Sequence, residues 1–457
     1  MSGAFDLSRP LRIHVVGAGG AGMSAIASVL SAMGNRVTGS DLKWSAALER
    51  LRPSGVALSV GHDAVAVGDA DVITVSSAVP EGNPEVVEAR RRGIRVLTRA
   101  EMLAAVCARR RCVAVSGTHG KTTTTSMLSL ILVEAGLRPS FLIGGDVNEI
   151  GTNAVWDTGE WLVVEADESD GTFLELDPEI AVVTNVEPDH LDYYGSFEEL
   201  VAAFDRFCDG RTGGVVAGAD DALAAAVGGR HGADLVGMSA SASFRLRNEH
   251  RHGGGVAFDL WHGAENLGSL ELPVLGAKIA QNAAIATVTA LLVGASMEAA
   301  SAALARFAGV ARRYERRGEA NGVRFVDDYA HLPTEVHAVL AAARGEAERL
   351  VVVFQPHRYS RTAALGEQFA DAFDGADVVI VTDVFGAGEA PVPGVTGKVV
   401  ADAVRRAHPD TDVNFVAGRA ELRQYLARRL RPGDLCLTLG AGDLTTLPDE
   451  LLGAPSW

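Results

Sequence analysis

The chain has 457 residues, with 41 Lys and Arg against 58 Asp and Glu, and a formal net charge of −17 at pH 7. At about 100–200 residues per domain, this length predicts two to four domains, each able to bury its own core. Apolar residues make up 47% and charged residues 22% of the chain, a globular composition that argues against disorder. The acidic balance argues against a nucleic-acid binder, which needs clustered Lys and Arg to neutralise phosphates.

Signals for export, membrane insertion and disulfide bonding are missing from the sequence. The first six residues lack the basic and apolar regions of a signal peptide, and the apolar stretch 283–295 is too short to span a bilayer. That stretch predicts a buried helix instead. The cysteines have neither C-x-x-C nor metal-ligand spacing, so we expect buried reduced thiols at Cys107, Cys112, Cys208 and Cys436. These features predict a cytoplasmic protein without membrane insertion.

Short Val- and Ile-rich runs alternate with Ala- and Leu-rich helical segments along the chain, which is typical of parallel sheets built from βαβ units. Two composition breaks indicate domain boundaries: the basic cluster 109–111 and the segment 312–318, which precedes a predicted strand at 323–326. The sequence therefore predicts an α/β protein of three domains, at 1–108, 109–313 and 314–457.

The first glycine-rich loop joins a predicted strand at 11–16 to a predicted helix at 23–30. It reads Gly17-Ala18-Gly19-Gly20-Ala21-Gly22, and such glycines let backbone amides approach an anion at a helix N-terminus. The next strand, predicted at 36–39, ends at Ser40 and Asp41, near the place of the ribose-binding acid in dinucleotide folds. This order predicts a nucleotide diphosphate site, with a turn kept only for packing as the alternative.

The second glycine-rich loop follows a predicted strand at 112–116 and precedes a predicted helix at 126–136. It reads Gly117-Thr118-His119-Gly120-Lys121-Thr122-Thr123-Thr124, a shortened form of the phosphate loop G-x-x-x-x-G-K-[ST]. Its amides and Lys121 can cradle phosphates, and the Thr122 hydroxyl can ligate Mg²⁺. The sequence therefore favours an ATP site here over a structural turn.

Acidic side chains and a histidine follow the next two predicted strands. The strand at 161–164 leads into the acidic segment 165–170 (Glu-Ala-Asp-Glu-Ser-Asp), and the strand at 180–184 leads to His190. Because parallel strands end at the same edge of a sheet, we expect these groups near the phosphate loop. A carboxylate with Thr122 suffices for Mg²⁺ there. Alternatively, the aspartates cap a turn and His190 is an ordinary loop histidine.

Four strands predicted in the C-terminal third each deliver a polar segment at the carboxyl end. The segments are 327–331 after strand 323–326, 355–361 after strand 350–354, 383–385 after strand 378–381 and 440–443 after strand 435–439. Among them, Arg358 and Arg361 suit bidentate recognition of a carboxylate. The alternative is a solvated arginine-rich loop.

Eight ordered motifs over nearly the whole chain resemble the Mur ligase family. They are 17–23, 116–124, 165–170, 184–191, 327–335, 355–362, 382–389 and 439–443. The resemblance implies a Rossmann-like N-terminal domain that holds a UDP moiety and a central P-loop ATPase-like domain. It also implies a C-terminal Rossmann-like domain that closes over an amino acid and ATP.

Within the family, the sequence resembles the branch that adds L-alanine to UDP-N-acetylmuramate. The implied reaction is an ATP-dependent ligation through an acyl phosphate, a cytoplasmic step of peptidoglycan precursor synthesis. ATP and Mg²⁺ are the implied cofactors, only small-molecule substrates are expected as partners, and a monomer or weak homodimer is expected. No lysine lies between His190 and Lys278, so the carbamylated lysine of some family members is absent, which agrees with this branch.

The resemblance also implies roles for individual residues. The catalytic residues are Lys121, His190, His331, Arg358 and Arg361. The ATP-binding residues are Gly117, Thr118, His119, Gly120, Lys121, Thr122, Thr123, Asn282 and Arg313. Thr122 and Glu168 ligate one Mg²⁺, and His190 ligates another. The substrate-binding residues are Gly19, Gly20, Ala21, Gly22, Met23, Ser40, Asp41, Ser76, Ser77, Tyr329, His331, Arg358 and Arg361.

Three departures from the family pattern concern the nucleotide and amino-acid sites. Leu332 replaces the second histidine of the usual His-His-Pro-Thr-Glu. Lys278 and Ile279 replace the His-Asn of the usual Gly-x-His-Asn-x-x-Asn, whereas Asn282 matches. The residues that contact the adenine are therefore left open. Phe385 stands where tyrosine is usual. No metal ligand and no phosphate lysine is lost, so we expect an active enzyme.

Three other functions explain part of the sequence. A murein tripeptide ligase attaches a preformed peptide, but the segments 19–23 and 165–170 favour the alanine-adding branch. An NAD-dependent oxidoreductase would use the first loop and leave the ATP loop unexplained. A non-catalytic nucleotide sensor would show no amino-acid-dependent ADP release. The sequence leaves open the choice among alanine, serine and glycine, the binding order and feedback control.

Overall fold

The computed structural model describes residues 5–147, 150–252, 254–276 and 278–453. Three β-sheets of five, ten and six strands alternate with helices along the chain, which confirms the predicted α/β class. The chain forms two compact units, one comprising residues 1–273 and 280–308 and the other residues 274–279 and 309–457. The first two sheets belong to the first unit and the third sheet to the second. The domain boundaries at 108/109 and 313/314 stay predictions.

The first sheet carries the first glycine loop. Its elements in chain order are β1 (Arg12–Val16), α1 (Ala21–Ala32), β2 (Arg36–Asp41), α2 (Ala46–Leu51), β3 (Ala57–Val60), β4 (Val72–Val75), α3 (Pro84–Arg91), β5 (Arg95–Thr98) and α4 (Arg99–Cys107). All strands are parallel, in the order β3-β2-β1-β4-β5. The order reverses between β1 and β4, and in such sheets the crevice at this reversal binds ligands. The glycine loop joins β1 to α1 at this place.

The second sheet carries the phosphate loop between its first strand and first helix in chain order. Its elements are β6 (Arg111–Ser116), α5 (Lys121–Glu134), β7 (Ser140–Val147), β8 (Thr152–Val155), β9 (Trp161–Glu165), β10 (Ile180–Val183), α6 (Leu191–Tyr194), α7 (Phe197–Cys208), β11 (Gly214–Gly218), α8 (Ala222–Arg230), β12 (Asp234–Gly237), β13 (Phe244–His252), β14 (Gly255–His262), β15 (Glu265–Leu272), α9 (Ile279–Val293) and α10 (Met297–Leu304). The order is β15-β14-β13-β12-β11-β10-β6-β9-β7-β8. Only β8 and the β13–β15 meander pair antiparallel.

Helix α1 joins the cores of the first two sheets. It contacts β2 of the first sheet and β7 and β8 of the second, and seven of its residues are buried, among them Met23, Ile26 and Leu30. A helix that is apolar on nearly all sides must be covered on all sides. One continuous apolar core therefore runs through both sheets.

The third sheet belongs to the second unit. Its elements are β16 (Glu315–Ala320), β17 (Val323–Asp328), α11 (Pro333–Ala343), β18 (Arg349–Phe354), α12 (Tyr359–Leu365), β19 (Val378–Val381), α13 (Lys398–Ala407), β20 (Asp412–Phe415), α14 (Arg419–Arg429), β21 (Asp434–Leu439) and α15 (Leu447–Leu452). The order is β16-β17-β21-β18-β19-β20, and only β16 is antiparallel. β17 runs two residues beyond its predicted end, so Asp327 and Asp328 lie within the strand.

Helix α5 begins at Lys121, five residues before its predicted start. The run Thr122–Thr125 is β-branched, which lowers helix propensity and hid the start of the helix. In the structure, Thr125 Oγ1 donates to the Lys121 carbonyl at 2.8 Å and Ser126 Oγ donates to the Thr122 carbonyl at 2.7 Å. These bonds to the preceding turn satisfy buried hydroxyls inside a helix.

The cysteine and membrane predictions can be compared with the structure. All four cysteines are free and buried, as predicted. The apolar stretch predicted as a buried helix falls largely within α9. Within the residues that the structure describes, every helix is too short or too polar to cross a membrane.

Candidate active site

The end of β2 fixes the first glycine loop. The amides of Gly17 and Ala18 both donate to the Ser40 carbonyl at 2.9 Å, and the Gly19 amide donates to Asp41 Oδ2 at 2.8 Å. The structure thus brings the predicted substrate residues Ser40 and Asp41 to the loop, where both shape its backbone.

The start of α1 is open to an anion. Its N-cap, Gly20, makes no side-chain capping bond, and the first turn has no acidic residue, so the positive end of the helix dipole is not neutralised locally. Gly17 has φ +80°, and a Cβ there would lie 2.9 Å from Ser76 Cβ, so the turn requires glycine and Ser76 borders it. Ser77 is exposed, whereas the side chain of Met23 lies in the core.

A buried carboxylate that the sequence analysis missed lies beneath this loop. Glu85 is fully buried, and its Oε2 accepts from Ser40 Oγ at 2.6 Å and lies 3.2 Å from His62 Nδ1 and 3.5 Å from His14 Nε2. Burial alone would raise the pKa of Glu85, but the nearby His14 ring and the hydrogen bond from Ser40 lower it below its usual value. Only the capping sequence Asn83-Pro84-Glu85, which starts α3, hinted at a fixed position for this side chain.

Two glycines of the phosphate loop are required by close contacts. Gly117 has φ +132°, and a Cβ there would lie 2.1 Å from Thr184 Oγ1. Gly120 has φ +79°, and a Cβ there would lie 2.6 Å from Asn282 Oδ1. The predicted nucleotide-binding residue Asn282 therefore lies against the loop.

The segment after β10 holds the phosphate loop from the other side. The His119 amide donates to Asn185 Oδ1 at 2.8 Å, and the His119 carbonyl accepts from Asn185 Nδ2 at 2.8 Å and Thr184 Oγ1 at 2.6 Å. The Glu187 amide donates to Thr118 Oγ1 at 2.8 Å. These supporting residues fall in the motif 184–191 but were not predicted as site residues.

Lys121 forms a buried ion pair within the loop. Its Nζ lies 2.9 Å and 2.8 Å from the two oxygens of Glu168 and donates to the Gly117 carbonyl at 2.8 Å. Burial alone would lower the pKa of Lys121, but the carboxylates of Glu168 and Asp167 raise it above its usual value. Lys121 therefore carries a positive charge aimed at the phosphate loop.

The carboxylate beside the Thr122 hydroxyl is Glu165, whereas the sequence analysis paired Thr122 with Glu168. Thr122 Oγ1 donates to Glu165 Oε1 at 3.0 Å, and Glu165 Oε2 accepts from the Gly144 amide at 2.7 Å. Glu165 is the last residue of β9 and pairs in register with Val115 on β6, which places it beside the loop. Glu168, three residues on, reaches Lys121 instead.

His190 lies at a turn that contacts the acidic segment. It precedes α6 with φ +54°, and its Nε2 is 3.1 Å from Asp189 Oδ2. The Tyr194 hydroxyl donates to the Glu168 carbonyl and ties α6 to that segment. Among the described side chains, no three His, Cys, Asp or Glu form a preformed metal cluster.

In the second unit, two arginines flank the ring of Tyr329. The guanidinium carbons of Arg312 and Arg313 lie 4.8 and 5.1 Å from the ring centre. Arg312 Nη2 also donates to the Gly440 carbonyl at 2.7 Å. The predicted residues Arg313 and Tyr329 are thus in contact, and Arg312, which was not predicted as a site residue, joins β17 to the segment after β21.

Two histidines lie next to each other at the ends of β17 and β18. His331 Nδ1 is 3.1 Å from the Tyr329 carbonyl and 3.2 Å from Glu335 Oε2, so this nitrogen carries a hydrogen. The ring centres of His331 and His357 are 5.8 Å apart, and Arg361 Nη1 donates to His357 Nδ1 at 3.1 Å. Burial, followed by the charges of His331 and Arg361, lowers the pKa of His357 to about 3.

Arg358 has the features of an anion ligand. Its backbone has φ +66°, unusual for a residue with a side chain, and is held by a 2.8 Å bond from its amide to the Phe385 carbonyl. Its Nε is buried with no hydrogen-bond partner in the described structure, although buried donors are normally satisfied. Phe385, which replaces the usual tyrosine, stacks on His357 with ring centres 5.9 Å apart.

Comparison with known families matches successive parts of the chain. The model described as "Mur ligase family, catalytic domain" matches residues 12–111, "Mur ligase middle domain" matches 115–290, and "Mur ligase, glutamate ligase domain" matches 312–442. Together these matches cover most of the chain.

Comparison with individual proteins agrees over the full length. UDP-N-acetylmuramate–L-alanine ligase of Pelotomaculum thermopropionicum is 44% identical, covering 98% of this chain and 98% of its own. The enzyme of that name from Geobacter sp. strain M21 is 47% identical, covering 96% and 97%. The crystal structure of UDP-N-acetylmuramate–alanine ligase from Thermotoga maritima superposes with a TM-score of 0.82 at 29% identity, covering 97% and 98%. This chain belongs to the Mur ligase family.

Proposed function

We propose that this protein joins L-alanine to the carboxylate of UDP-N-acetylmuramate, with release of ADP and phosphate. The proposal rests on the identity of 44–47%, over 96–98% of the chain, to relatives named UDP-N-acetylmuramate–L-alanine ligase. The phosphate loop with its buried lysine and the unpartnered arginine donor at a strand end support this function.

The chemistry requires activation of a poor electrophile. The substrate carboxylate attacks the γ-phosphorus of ATP and gives an acyl phosphate, ADP leaves, and the alanine amine then attacks the carbonyl and expels phosphate. Phosphoryl transfer depends mainly on positioning and charge neutralisation. Lys121 supplies a fixed positive charge, and the amides of the phosphate loop supply hydrogen bonds.

The residues around the phosphate loop fit Mg²⁺. Thr122 offers a hydroxyl, and the adjacent acidic segment offers Glu165, 3.0 Å from that hydroxyl, as well as Glu168. We include His190 as the candidate ligand of a second ion. Mg²⁺ bound here would neutralise phosphate charge.

We assign the first glycine loop to the UDP moiety and the second to ATP, with Asn282 and Arg313 as further ATP contacts. In the second unit, Tyr329, His331, Arg358 and Arg361 are proposed to bind the alanine carboxylate and the transferring phosphate. The guanidinium group of an arginine binds a carboxylate or a phosphate through two parallel hydrogen bonds. We further propose a cytoplasmic location and a monomeric or weakly dimeric state.

The test is ADP release by the purified protein with ATP, Mg²⁺, UDP-N-acetylmuramate and L-alanine, each omitted in turn. We expect release to require all four. Replacing alanine with serine, glycine or a murein tripeptide measures amino-acid preference. Activity with the tripeptide alone would move the protein to the murein peptide ligases, whose structure from Psychrobacter arcticus shares this fold at a TM-score of 0.69 and 23% identity. No ADP in any mixture would overturn the proposal.

A further inference from the structure

Arg99 is the first residue of α4 and reaches the acidic segment of the second sheet. Thr98 and Glu101 form a capping box that fixes the start of the helix. Arg99 Nη2 donates to Asp170 Oδ2 at 3.0 Å and to Thr172 Oγ1 at 3.3 Å. The helix that follows β5 of the first sheet therefore holds a residue of the segment after β9.

The other amino group of Arg99 faces the first glycine loop. A Cβ built on Gly22 would lie 3.2 Å from Arg99 Nη1 and 3.7 Å from its Cδ. Gly22 belongs to the first turn of α1, which has no acidic residue and no side-chain cap. The guanidinium thus adds positive charge beside a helix start that already favours an anion.

The partner of Arg99 belongs to the segment that contacts Lys121. Asp170 also accepts from the Thr172 amide at 3.0 Å, and Arg99 Nη2 lies 4.0 Å from Asp167 Oδ2. Glu168, between these two aspartates, pairs with Lys121 at 2.8 Å. One planar guanidinium therefore connects the start of α1 to the segment beside the phosphate loop.

We propose that Arg99 is a substrate-binding residue that couples the two nucleotide sites of the first unit. The proposal rests on the proposed function, which places a UDP diphosphate at the first loop and ATP at the second. A diphosphate beside Gly22 would accept a hydrogen bond from Nη1 while Nη2 continues to donate to Asp170. This is possible because the two amino groups of an arginine can donate at the same time. When one ligand binds, it fixes the guanidinium in place, and the second ligand then binds without the free-energy cost of ordering it. The two ligands therefore bind with positive cooperativity.

The test compares binding of UDP-N-acetylmuramate with and without a non-hydrolysable ATP analogue and Mg²⁺, by calorimetry. For the unaltered protein we expect the analogue to tighten UDP-N-acetylmuramate binding about fivefold or more. Arg99→Ala should weaken UDP-N-acetylmuramate binding about tenfold and remove the effect of the analogue. Binding of the analogue alone should change less than about twofold, which also reports that the variant is folded.

Two further variants separate charge from geometry. Arg99→Lys keeps a positive charge but has no fork to serve both partners, so it should retain most of the UDP-N-acetylmuramate affinity and lose the cooperativity. The matched control is Arg91→Ala, which removes an exposed arginine at the end of α3 that is paired with Glu88 at 2.7 Å. This control should leave both quantities unchanged.

The outcomes distinguish this inference from the proposed function. If the unaltered protein does not bind UDP-N-acetylmuramate, the proposed function fails. If it binds but Arg99→Ala keeps both affinity and cooperativity, only the inference is wrong. Weaker binding with unchanged cooperativity would make Arg99 a ligand at the first loop only and overturn the coupling.

Discussion

Lys121 and Glu168 depend on each other because both charges are buried, with side chains 14% and 2% exposed. Lys121→Ala should lower turnover by about a thousandfold, since it removes charge neutralisation at the phosphates. It should also destabilise the first unit by about 3–5 kcal/mol, since Glu168 is left without its counter-charge. ADP release and urea unfolding measure the two effects.

Lys398 is the control for this substitution. It is exposed and pairs with Asp402 within a helix turn, so Lys398→Ala should change stability by less than about 1 kcal/mol. Near-normal turnover of Lys121→Ala would contradict the role of Lys121.

The position of Glu165 beside Thr122 leads to a prediction about the Mg²⁺ requirement. If this carboxylate and Thr122 face the metal, Glu165→Gln should raise the Mg²⁺ concentration for half-maximal ADP release by about tenfold, as for loss of a ligand-supporting group. Glu168→Gln should act mainly on turnover through Lys121. An unchanged Mg²⁺ titration for Glu165→Gln, with a shifted one for Glu168→Gln, would return the metal to the sequence-predicted ligand.

Single residues were predictable where spacing alone defines the chemistry. The pair Lys121 and Thr122 follows from the phosphate-loop pattern. The choice between Glu165 and Glu168 does not, because the path of the turn after β9 decides which carboxylate reaches the hydroxyl. Arg99 carried no signal at all, since its partner Asp170 is 71 residues away and follows a strand of another sheet.

At the scale of elements, glycine and strand patterns predicted the two loops and most strands. Alternating strands and helices fix which loops lie at the carboxyl edge of a parallel sheet. The start of α5 was missed because its first turns are rich in threonine, and tertiary burial there overrides local propensity. The supporting bonds from Thr184 and Asn185 depend on strand order, which the sequence does not contain.

The phosphate loop as an element can be tested at Gly120. Gly120→Ala should raise the KM for ATP at least about tenfold and cost about 1–3 kcal/mol, because it adds left-handed strain and a contact of 2.6 Å with Asn282 Oδ1. The control is Gly136→Ala, at φ +71° with no atom within 4 Å of the added Cβ. It should cost only about 1 kcal/mol of stability and leave the KM for ATP unchanged. Equal effects of the two substitutions would show that backbone strain alone matters.

At the scale of the molecule, the shared core around α1 was not visible in the sequence. The apolar character of that helix predicts burial, but not that β7 and β8 of the second sheet provide part of the cover. The grouping of the first two sheets in one compact unit therefore reflects packing between sheets that the sequence does not reveal.

The stability of the second unit should depend on pH through the half-buried His357 and the buried Asp328, which have opposite effects. The pKa of His357 falls from its ordinary 6.5 to about 3 in the fold, so the unfolded chain binds more protons below pH 6.5 and stability is lost as pH falls. The pKa of Asp328 rises from 3.8 to about 6, chiefly by burial. The folded chain therefore binds more protons between pH 6 and 3.8, and stability is gained as pH falls.

These two effects nearly cancel between pH 6 and 5, where each is up to about 1.4 kcal/mol. The second unit of His357→Gln should therefore become more stable as the pH falls from 6 to 5, because only the Asp328 effect remains. The Gln side chain can still accept the hydrogen bond from Arg361. Asp328→Asn should become less stable as the pH falls over the same range, because only the His357 effect remains, whatever its stability at pH 7. Hydrogen exchange of the β18 and β21 amides at pH 6 and 5, corrected for intrinsic rates, measures both slopes in the second unit. Parallel pH profiles for the two variants would contradict the opposite protonation of these two side chains.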